Sequence, residues 1–305
     1  MAEEEKECLH NNVKEWIEEN KKFFLPPVCN KMMHNAGQMK CFFVGGPNQR
    51  KDYHIEAGEE LFYQLKGDMV LKIVEQGKHK DVKIKEGEIF LLPGRIPHSP
   101  QRFENTVGLV IERERYEDKK ELDGLRYYVE KDGVPTLESL FEKWFFCTDL
   151  GKQLGPVIKE FFASEQCKTG KPIEGTIPSE EELPFQLDTK RKVETPFKLK
   201  KWIEKYRSEI DKKGNKMIFG EGYQFQVYIY GKGESNSVCK VAETWIWQWE
   251  GESTIAIDEE EKTLKEDDCF LIQKGKRFTF TRPAGSLSLF CWQDPTKTGH
   301  DDKRS

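Results

Sequence analysis

Three residues near the start of the chain have the types and spacings that hold a metal ion: His54, Glu60 and His98. Two imidazoles and one carboxylate on one face of an octahedral ion leave about three of its six positions open. That suits non-haem Fe(II), which must gather a substrate and O2 at one point. His54 and Glu60 fall in Asp52-Tyr53-His54-Ile55-Glu56-Ala57-Gly58-Glu59-Glu60, ahead of a strand-like run that ends at Gly67. His98 closes Gly87-Glu88-Ile89-Phe90-Leu91-Leu92-Pro93-Gly94-Arg95-Ile96-Pro97-His98. The donor set alone does not choose the metal, because the same side chains bind several divalent ions.

The elements that must position these residues are mostly strands. From Lys40 to Arg115, short β-branched and aromatic runs alternate with Gly, Pro and Asn: Cys41–Val44, Leu61–Leu65, Met69–Val74, Val82–Ile84, Ile89–Leu92 and Val107–Ile111. Such a series predicts a sandwich or barrel. Apolar residues at helical spacing predict helices over Asn12–Phe24, Leu137–Phe146, Gln153–Phe162 and Phe197–Ile210. Residues 165–184 are polar, without periodicity, and read as a linker. Strands resume at Phe225–Tyr230, Glu243–Trp249, Ser253–Ile257, Cys269–Gln273 and Ser286–Trp292.

The second half echoes the first. Phe62-Tyr63-Gln64-Leu65-Lys66-Gly67 aligns with Ile246-Trp247-Gln248-Trp249-Glu250-Gly251, and Phe90-Leu91-Leu92 with Phe270-Leu271-Ile272. On that alignment Glu60 falls on Thr244, His54 on Val238 and His98 on Phe278, so every ligand-capable side chain is lost from the repeat. The expectation is a catalytic domain over 1–164 and a degenerate, metal-free barrel over 185–305 that packs on the first.

Composition narrows the partners. The chain has 305 residues, enough for two domains, with 49 basic and 54 acidic residues mixed along it and a net charge of −5. No basic stripe speaks for nucleic acid. The longest apolar runs are strand-sized, which predicts no transmembrane helix. Met1–Glu7 is acidic and lacks the apolar core of a signal peptide. Eight scattered cysteines form no Cys-x-x-Cys pair, so thiols in a reducing, cytosolic compartment are expected.

The pattern His-x5-Glu-x6-Gly, then Gly-x5-Pro-x4-His, resembles the two signature motifs of the cupin superfamily. Two positions depart from it: Glu56 stands at the usual second histidine of the first motif, and Arg102 at the usual asparagine of the second. A tandem of jelly-roll barrels with a few flanking helices is implied. The likeness extends to one enzyme family. Gly46-Pro47-Asn48-Gln49-Arg50-Lys51-Asp52-Tyr53-His54, Glu59-Glu60-Leu61-Phe62-Tyr63-Gln64-Leu65, Pro97-His98-Ser99-Pro100-Gln101-Arg102 and Gly108-Leu109-Val110-Ile111-Glu112-Arg113 resemble the animal-type 3-hydroxyanthranilate 3,4-dioxygenases. So do Leu122-Asp123-Gly124-Leu125-Arg126-Tyr127-Tyr128 and Phe141-Glu142-Lys143-Trp144-Phe145. Bacterial members carry a C-terminal Cys-x-x-Cys iron site, for which this chain has no residues.

The resemblance implies Fe(II) held by His54, Glu60 and His98, and ring opening of 3-hydroxyanthranilate by O2 to 2-amino-3-carboxymuconate semialdehyde, precursor of quinolinate. A substrate with adjacent hydroxyl and amino groups can chelate the ion through two open positions and leave the third for O2. Arg102, four residues past His98, is placed to pair the substrate carboxylate through a bidentate contact; the bland alternative is a surface arginine. Glu112 sits in an apolar run where a lone carboxylate is costly to bury. By resemblance it meets the substrate's amino or hydroxyl group and accepts a proton; the alternative is a strand-end ion pair with Arg113 or Arg115. Arg50 resembles the family's arginine near the O2 position and would otherwise be solvent-facing. Asn30 resembles a pocket-lining residue, against the common role of an Asn that caps a turn.

Other residues invite less. His79 reads as exposed in a hairpin turn, and His10, His34 and His300 lack a paired ligand in the sequence. Arg282 aligns with Arg102 but reads as structural, and Trp245, Trp247 and Trp249 alternate as barrel core or interdomain packing. Two further function classes stand beside the dioxygenase: a non-catalytic ligand-binding or storage bicupin, and a metal-dependent cupin isomerase using Zn or Mn. A second barrel that covers the first favours a monomer.

Overall fold

The computed structural model describes residues 9–27 and 29–297, so Met1–Glu7, Cys8 and His300 lie outside the described residues. Four sheets build two barrels. In the leading barrel one sheet runs, in spatial order, Phe197–Lys198, Glu88–Leu92, Glu60–Lys66, Val107–Arg113, Met39–Gly45 and Asn30–His34. The facing sheet runs Val134–Phe145, Asp123–Lys131, Tyr53–Ile55, His98–Arg102, Met69–Glu75 and Lys78–Ile84. Period-two alternation builds the interior between them: Met69, Leu71 and Ile73 point inward with Phe62, Phe90 and Val110.

The trailing barrel repeats this order. Its larger sheet runs His10–Asn12, Asp268–Ile272, Thr244–Glu250, Leu287–Gln293, Phe225–Tyr230 and Asn215–Met217, opposite Gly233–Val238, Arg277–Arg282, Ser253–Ile257 and Glu260–Leu264. Glu60–Lys66 and Thr244–Glu250 therefore occupy equivalent places, as do Glu88–Leu92 and Asp268–Ile272. The fold is a mainly β tandem of cupin barrels. Where the first barrel keeps the buried polar residues His54, Glu60 and His98, the second is packed with Ile246, Ile255, Phe278, Phe280 and Phe290.

The largest core lies between the barrels and joins Phe43, Leu61, Ile89, Leu109 and Ile111 of one to Val227, Trp245, Leu271, Leu289 and Cys291 of the other. Full burial of side chains this size contributes about 1.5–3 kcal/mol each. Two short strands lock the pair: His10–Asn12 lies in the trailing barrel's sheet, and Phe197–Lys198 in the leading barrel's. The chain leading to the latter is also fastened to the first barrel, with Asp188 N donating to Arg95 O at 3.0 Å and Val193 N to Glu75 Oε1 at 2.7 Å.

Polar contacts cross the interface too. Glu59 Oε2 accepts from Phe225 N at 2.9 Å, while its Oε1 is buried and has no hydrogen bond. Burial pushes this carboxyl up to about 7, against the backbone donors of Phe225 and Gln224 that pull it down. A carboxyl whose folded pKa is raised holds its proton longer in the folded state than in the unfolded one. Folding stability should therefore fall as pH rises from about 4.5 to 7, by about 2–3 kcal/mol. Glu59→Gln is expected to remove that slope, measured as urea midpoints across this pH range; a parallel slope in the variant would contradict it.

Two expectations are corrected. Leu137–Phe146 is not a helix: Val134–Phe145 is a strand paired with Asp123–Lys131. The hairpin turns at Asp132-Gly133, both with positive φ (53° and 75°), the backbone that a two-residue primed turn requires. Register shifts at Tyr127/Tyr128 and Tyr128/Glu130 break the two-residue alternation, and the interrupted pattern imitates helical spacing. His79 is half-buried, not exposed. It lies two residues past the Gln76-Gly77 turn, its Nδ1 accepts from Tyr53 Oη at 3.1 Å, and its Nε2 donates to Thr136 O at 2.8 Å.

The other helices form near their expected places: Val13–Asn20, Leu150–Ala163 and Leu199–Lys213. Residues 165–184 contain a short helix, Glu165–Thr169, and one 3-10 turn. Among the described residues no helix is long and apolar enough to cross a membrane. The seven described cysteines are free thiols.

Candidate metal centre

Strand pairing sets the three candidate ligands. Tyr53–Ile55 lies antiparallel to His98–Arg102 with His54 directly opposite His98. The two rings stand 5.2 Å apart between centroids, at 79°. Glu60 opens the strand Glu60–Lys66 in the facing sheet and reaches across the barrel. One ligand atom from each residue lies within 4.8 Å of the other two, and all three residues are buried. Glu60 Oε1 is 2.7 Å from His98 Nε2 and 3.9 Å from His54 Nδ1.

The outer ring nitrogens decide how the imidazoles face. His54 Nε2 meets Asp123 Oδ2 at 2.7 Å, and His98 Nδ1 meets the Ile96 carbonyl at 3.0 Å. Each outer nitrogen faces an acceptor and so carries the proton, which turns the lone pairs of His54 Nδ1 and His98 Nε2 towards Glu60. Glu60 Oε1 is buried and faces His98 Nε2. Three converging lone pairs, one on a carboxylate, fit a divalent cation. Burial alone would raise the Glu60 carboxyl, but His98 and His54 hold it down at about 2. Burial opposes the His98 imidazolium, yet Glu60 raises its pKa. In the metal-free protein a proton thus competes for the place a cation would take, and metal affinity should weaken as pH falls.

Behind the candidate ligands sits a buried ion network, of which only a Glu112–Arg115 pair was expected as one alternative. Arg115 Nε and Nη2 each contact Asp123 at 2.8 Å, Arg115 Nη2 lies 2.5 Å from Glu56 Oε2, and Nη1 lies 3.2 Å from Glu112 Oε1. Burial favours the neutral Asp123 carboxyl, but Arg115 and His54 together keep it well below the usual carboxylate range. Asp123 therefore stands ionised beside His54 and fixes its tautomer. Asp123→Asn is expected to lower metal affinity about 10–100-fold, the usual loss when such a partner is removed. A chelator competition titration measures this; an unchanged affinity would separate Asp123 from the site.

The remaining residues singled out in the sequence line one cavity with the ligands. It encloses about 450 Å³, and Asn30, Arg50, Arg102 and Glu112 are all on its wall. Arg102 is not a surface arginine: it is 4% exposed. Its Nε has no hydrogen bond, and no carboxylate among the described residues pairs with its guanidinium. Burial lowers its pKa to about 10, with Glu60 opposing and Arg50 adding to the effect. Arg50 is not solvent-facing either; its guanidinium is ion-paired with Asp52, with Nε 3.1 Å from Oδ1. Glu112 pairs with Arg115, whereas Arg113 turns to Glu121 at 2.6 Å. Burial pushes the Glu112 carboxyl up against the pull of Arg115.

The roof was not foreseen. Tyr127 lines the cavity and stacks on Phe161 at 3.5 Å and 11°, and the helix Leu150–Ala163 adds Leu154 and Ile158. Outside the cavity, His10 contacts Asp268 at 3.4 Å, and His34 is buried in the strand Asn30–His34. Arg282, the repeat partner of Arg102, is spent on structure: it donates to the Gly231 and Phe280 carbonyls at 2.8 Å and lies against the Tyr230 and Phe280 rings.

Comparison with known proteins agrees with this arrangement. A family model described as 3-hydroxyanthranilic acid dioxygenase matches residues 7–162. The chain is 54% identical over 286 residues to a Xenopus tropicalis protein named 3-hydroxyanthranilate 3,4-dioxygenase, covering 93% of this chain and 98% of the relative. It is 51% identical over 283 residues to the human protein of that name, covering 93% and 96%. Among solved structures, salicylate 1,2-dioxygenase from Pseudaminobacter salicylatoxidans superposes with a TM-score of 0.59 at 10% identity, over 96% of this chain and 86% of that one. At that identity the likeness concerns the fold alone. With a family model over half the chain and relatives above half identity along nearly all of it, this chain belongs to the 3-hydroxyanthranilic acid dioxygenase family.

Proposed function

We propose that the protein is an Fe(II)-dependent, extradiol-type dioxygenase that opens the ring of 3-hydroxyanthranilate with O2. The product is 2-amino-3-carboxymuconate semialdehyde, on the route from tryptophan to quinolinate and NAD. His54, Glu60 and His98 would hold the iron, which when bound supplies redox chemistry for O2 and open positions for the reactants. The observation that carries this reading is Arg102: a buried guanidinium with no carboxylate partner among the described residues, on the wall of the cavity lined by His54, Glu60 and His98. Such a cation calls for an anionic partner, and a planar aromatic carboxylate supplies the matching fork.

The other side chains then have defined work. Glu112, with its carboxyl raised, takes the proton that the substrate hydroxyl gives up, and Arg115 steadies the carboxylate through that change. Arg50 sits on the cavity wall with its charge balanced by Asp52, and we assign it to the O2 side. Asn30 completes the substrate wall. The helix Leu150–Ala163 and Tyr127 limit water above the ring. A cavity of about 450 Å³ suits a small aromatic acid. We place the protein in the cytosol as a monomer; the free thiols support the first, and the trailing barrel's cover over the leading one supports the second. The catalytic unit is assigned to 1–164 and the metal-free barrel to 185–305, joined through 165–184.

Metal analysis combined with O2 uptake on 3-hydroxyanthranilate tests the assignment. One iron per chain and O2 consumed in step with substrate are expected. Binding without O2 uptake would favour the storage reading, and turnover without O2 the isomerase.

A further inference from the structure

We propose that Arg115 sets the number of open positions on the metal, by holding Glu56 back from becoming a fourth protein ligand. This rests on the reading that His54, Glu60 and His98 hold the ion. Glu56 lies in the same buried cluster: carboxylate oxygens of Glu56, Glu60 and Glu112 all fall within 4.8 Å of one another. A divalent cation beside Glu60 would attract every carboxylate in reach, and burial strengthens that attraction. Each added carboxylate would close one position that the reaction needs.

Arg115 opposes this. Its Nη2 lies 2.5 Å from Glu56 Oε2, and the same guanidinium is anchored by two 2.8 Å contacts to Asp123 and one to the Arg113 carbonyl. It is a braced hook, not a mobile counter-ion. The Glu56 carboxyl is buried and already in side-chain contact with Glu60, so it is a potential ligand next to the set. Glu112 is held less tightly, at 3.2–3.3 Å, and faces the cavity, as a group that must move a proton should. A planar, permanently charged fork can hold Glu56 and Asp123 together; a lysine, with one point charge, cannot span both.

The test counts exchangeable water on Mn(II) bound to the full-length protein, by water-proton relaxation, and needs no turnover. The parent protein should show about three exchangeable positions. Arg115→Gln should lose one, a fall of about a third in relaxation enhancement, and adding Glu56→Gln should restore it. If Arg115→Gln does not fold, Arg115→Lys decides alone, with the same loss and the same rescue by Glu56→Gln. An unchanged water count in the folded Arg115 variants overturns the proposal, as does a loss that Glu56→Gln leaves uncorrected. So does complete loss of Mn(II) in both variants, which would give Arg115 a structural hold on His54 and nothing more. Failure of the parent protein to bind Mn(II) would instead sink the metal reading beneath it.

Discussion

His98→Ala, or equally His54→Ala, is expected to abolish iron binding and with it ring opening. Each imidazole turns a lone pair towards Glu60 because its outer nitrogen is occupied, by Ile96 O in one case and Asp123 in the other. Removing one leaves two protein donors, one of them the ionised Glu60, in a buried site, too few for a stable facial cap. A metal that gathers and activates both reactants accounts for several kcal/mol of barrier; losing roughly 5 kcal/mol lowers kcat/KM on the order of 10³–10⁴-fold. Iron content and O2 uptake on the folded variant check this together. Full iron content with full activity in either variant would mean that the ion sits elsewhere.

Arg102→Ala carries the second large effect, and it should fall on binding. A buried bidentate pair between a guanidinium and a carboxylate contributes about 3 kcal/mol, so KM should rise about 10²-fold with kcat changed far less. Arg102→Lys should lie between, since a point charge lacks the planar fork. A separate readout distinguishes substrate binding from a structural role. Arg102 is a buried cation that no carboxylate among the described residues pairs with, so removing it should leave thermal stability unchanged or raised. An unchanged KM, or a large fall in stability, would count against the clamp.

The candidate ligands were readable from the spacing of the His-x5-Glu-x6-Gly and Gly-x5-Pro-x4-His motifs and not from alternation, since Tyr53–Ile55 and His98–Arg102 are buried almost throughout. In Glu60–Lys66 and Met69–Glu75 the inward positions are those of the two-residue pattern. The second barrel was readable from strand pattern: a shared strand register makes two aromatic runs align. Asp123, and the hold of Arg115 on Asp123 and Glu56, were not, because these side chains meet only after folding. Within Glu112-Arg113-Glu114-Arg115 the charges alternate like any solvated segment, and nothing local says that Arg113 leaves for Glu121 while Arg115 turns inward. The strand Val134–Phe145 was misread because its bulges displace apolar residues from strict alternation, although Asp132-Gly133 was a turn signal in plain view. Sequence pattern records the fold's periodicities well and its long-range ion pairs hardly at all.

The pairing of barrels gives those ion pairs a rigid setting. Glu59, next to Glu60 in sequence, turns the other way and accepts from Phe225 of the trailing barrel, so one dipeptide serves both the interface and the site. The trailing barrel thereby helps to fix the start of the strand that carries Glu60.

The most direct test of the central claim is an anaerobic spectroscopic titration of the Fe(II)-loaded protein with 3-hydroxyanthranilate. The account predicts a new ligand-to-metal absorption that saturates at one substrate per iron, is absent in His98→Ala, and needs about 10²-fold more substrate in Arg102→Ala. Tight substrate binding with no change in the iron's spectrum would place the aminophenol away from the metal and contradict it.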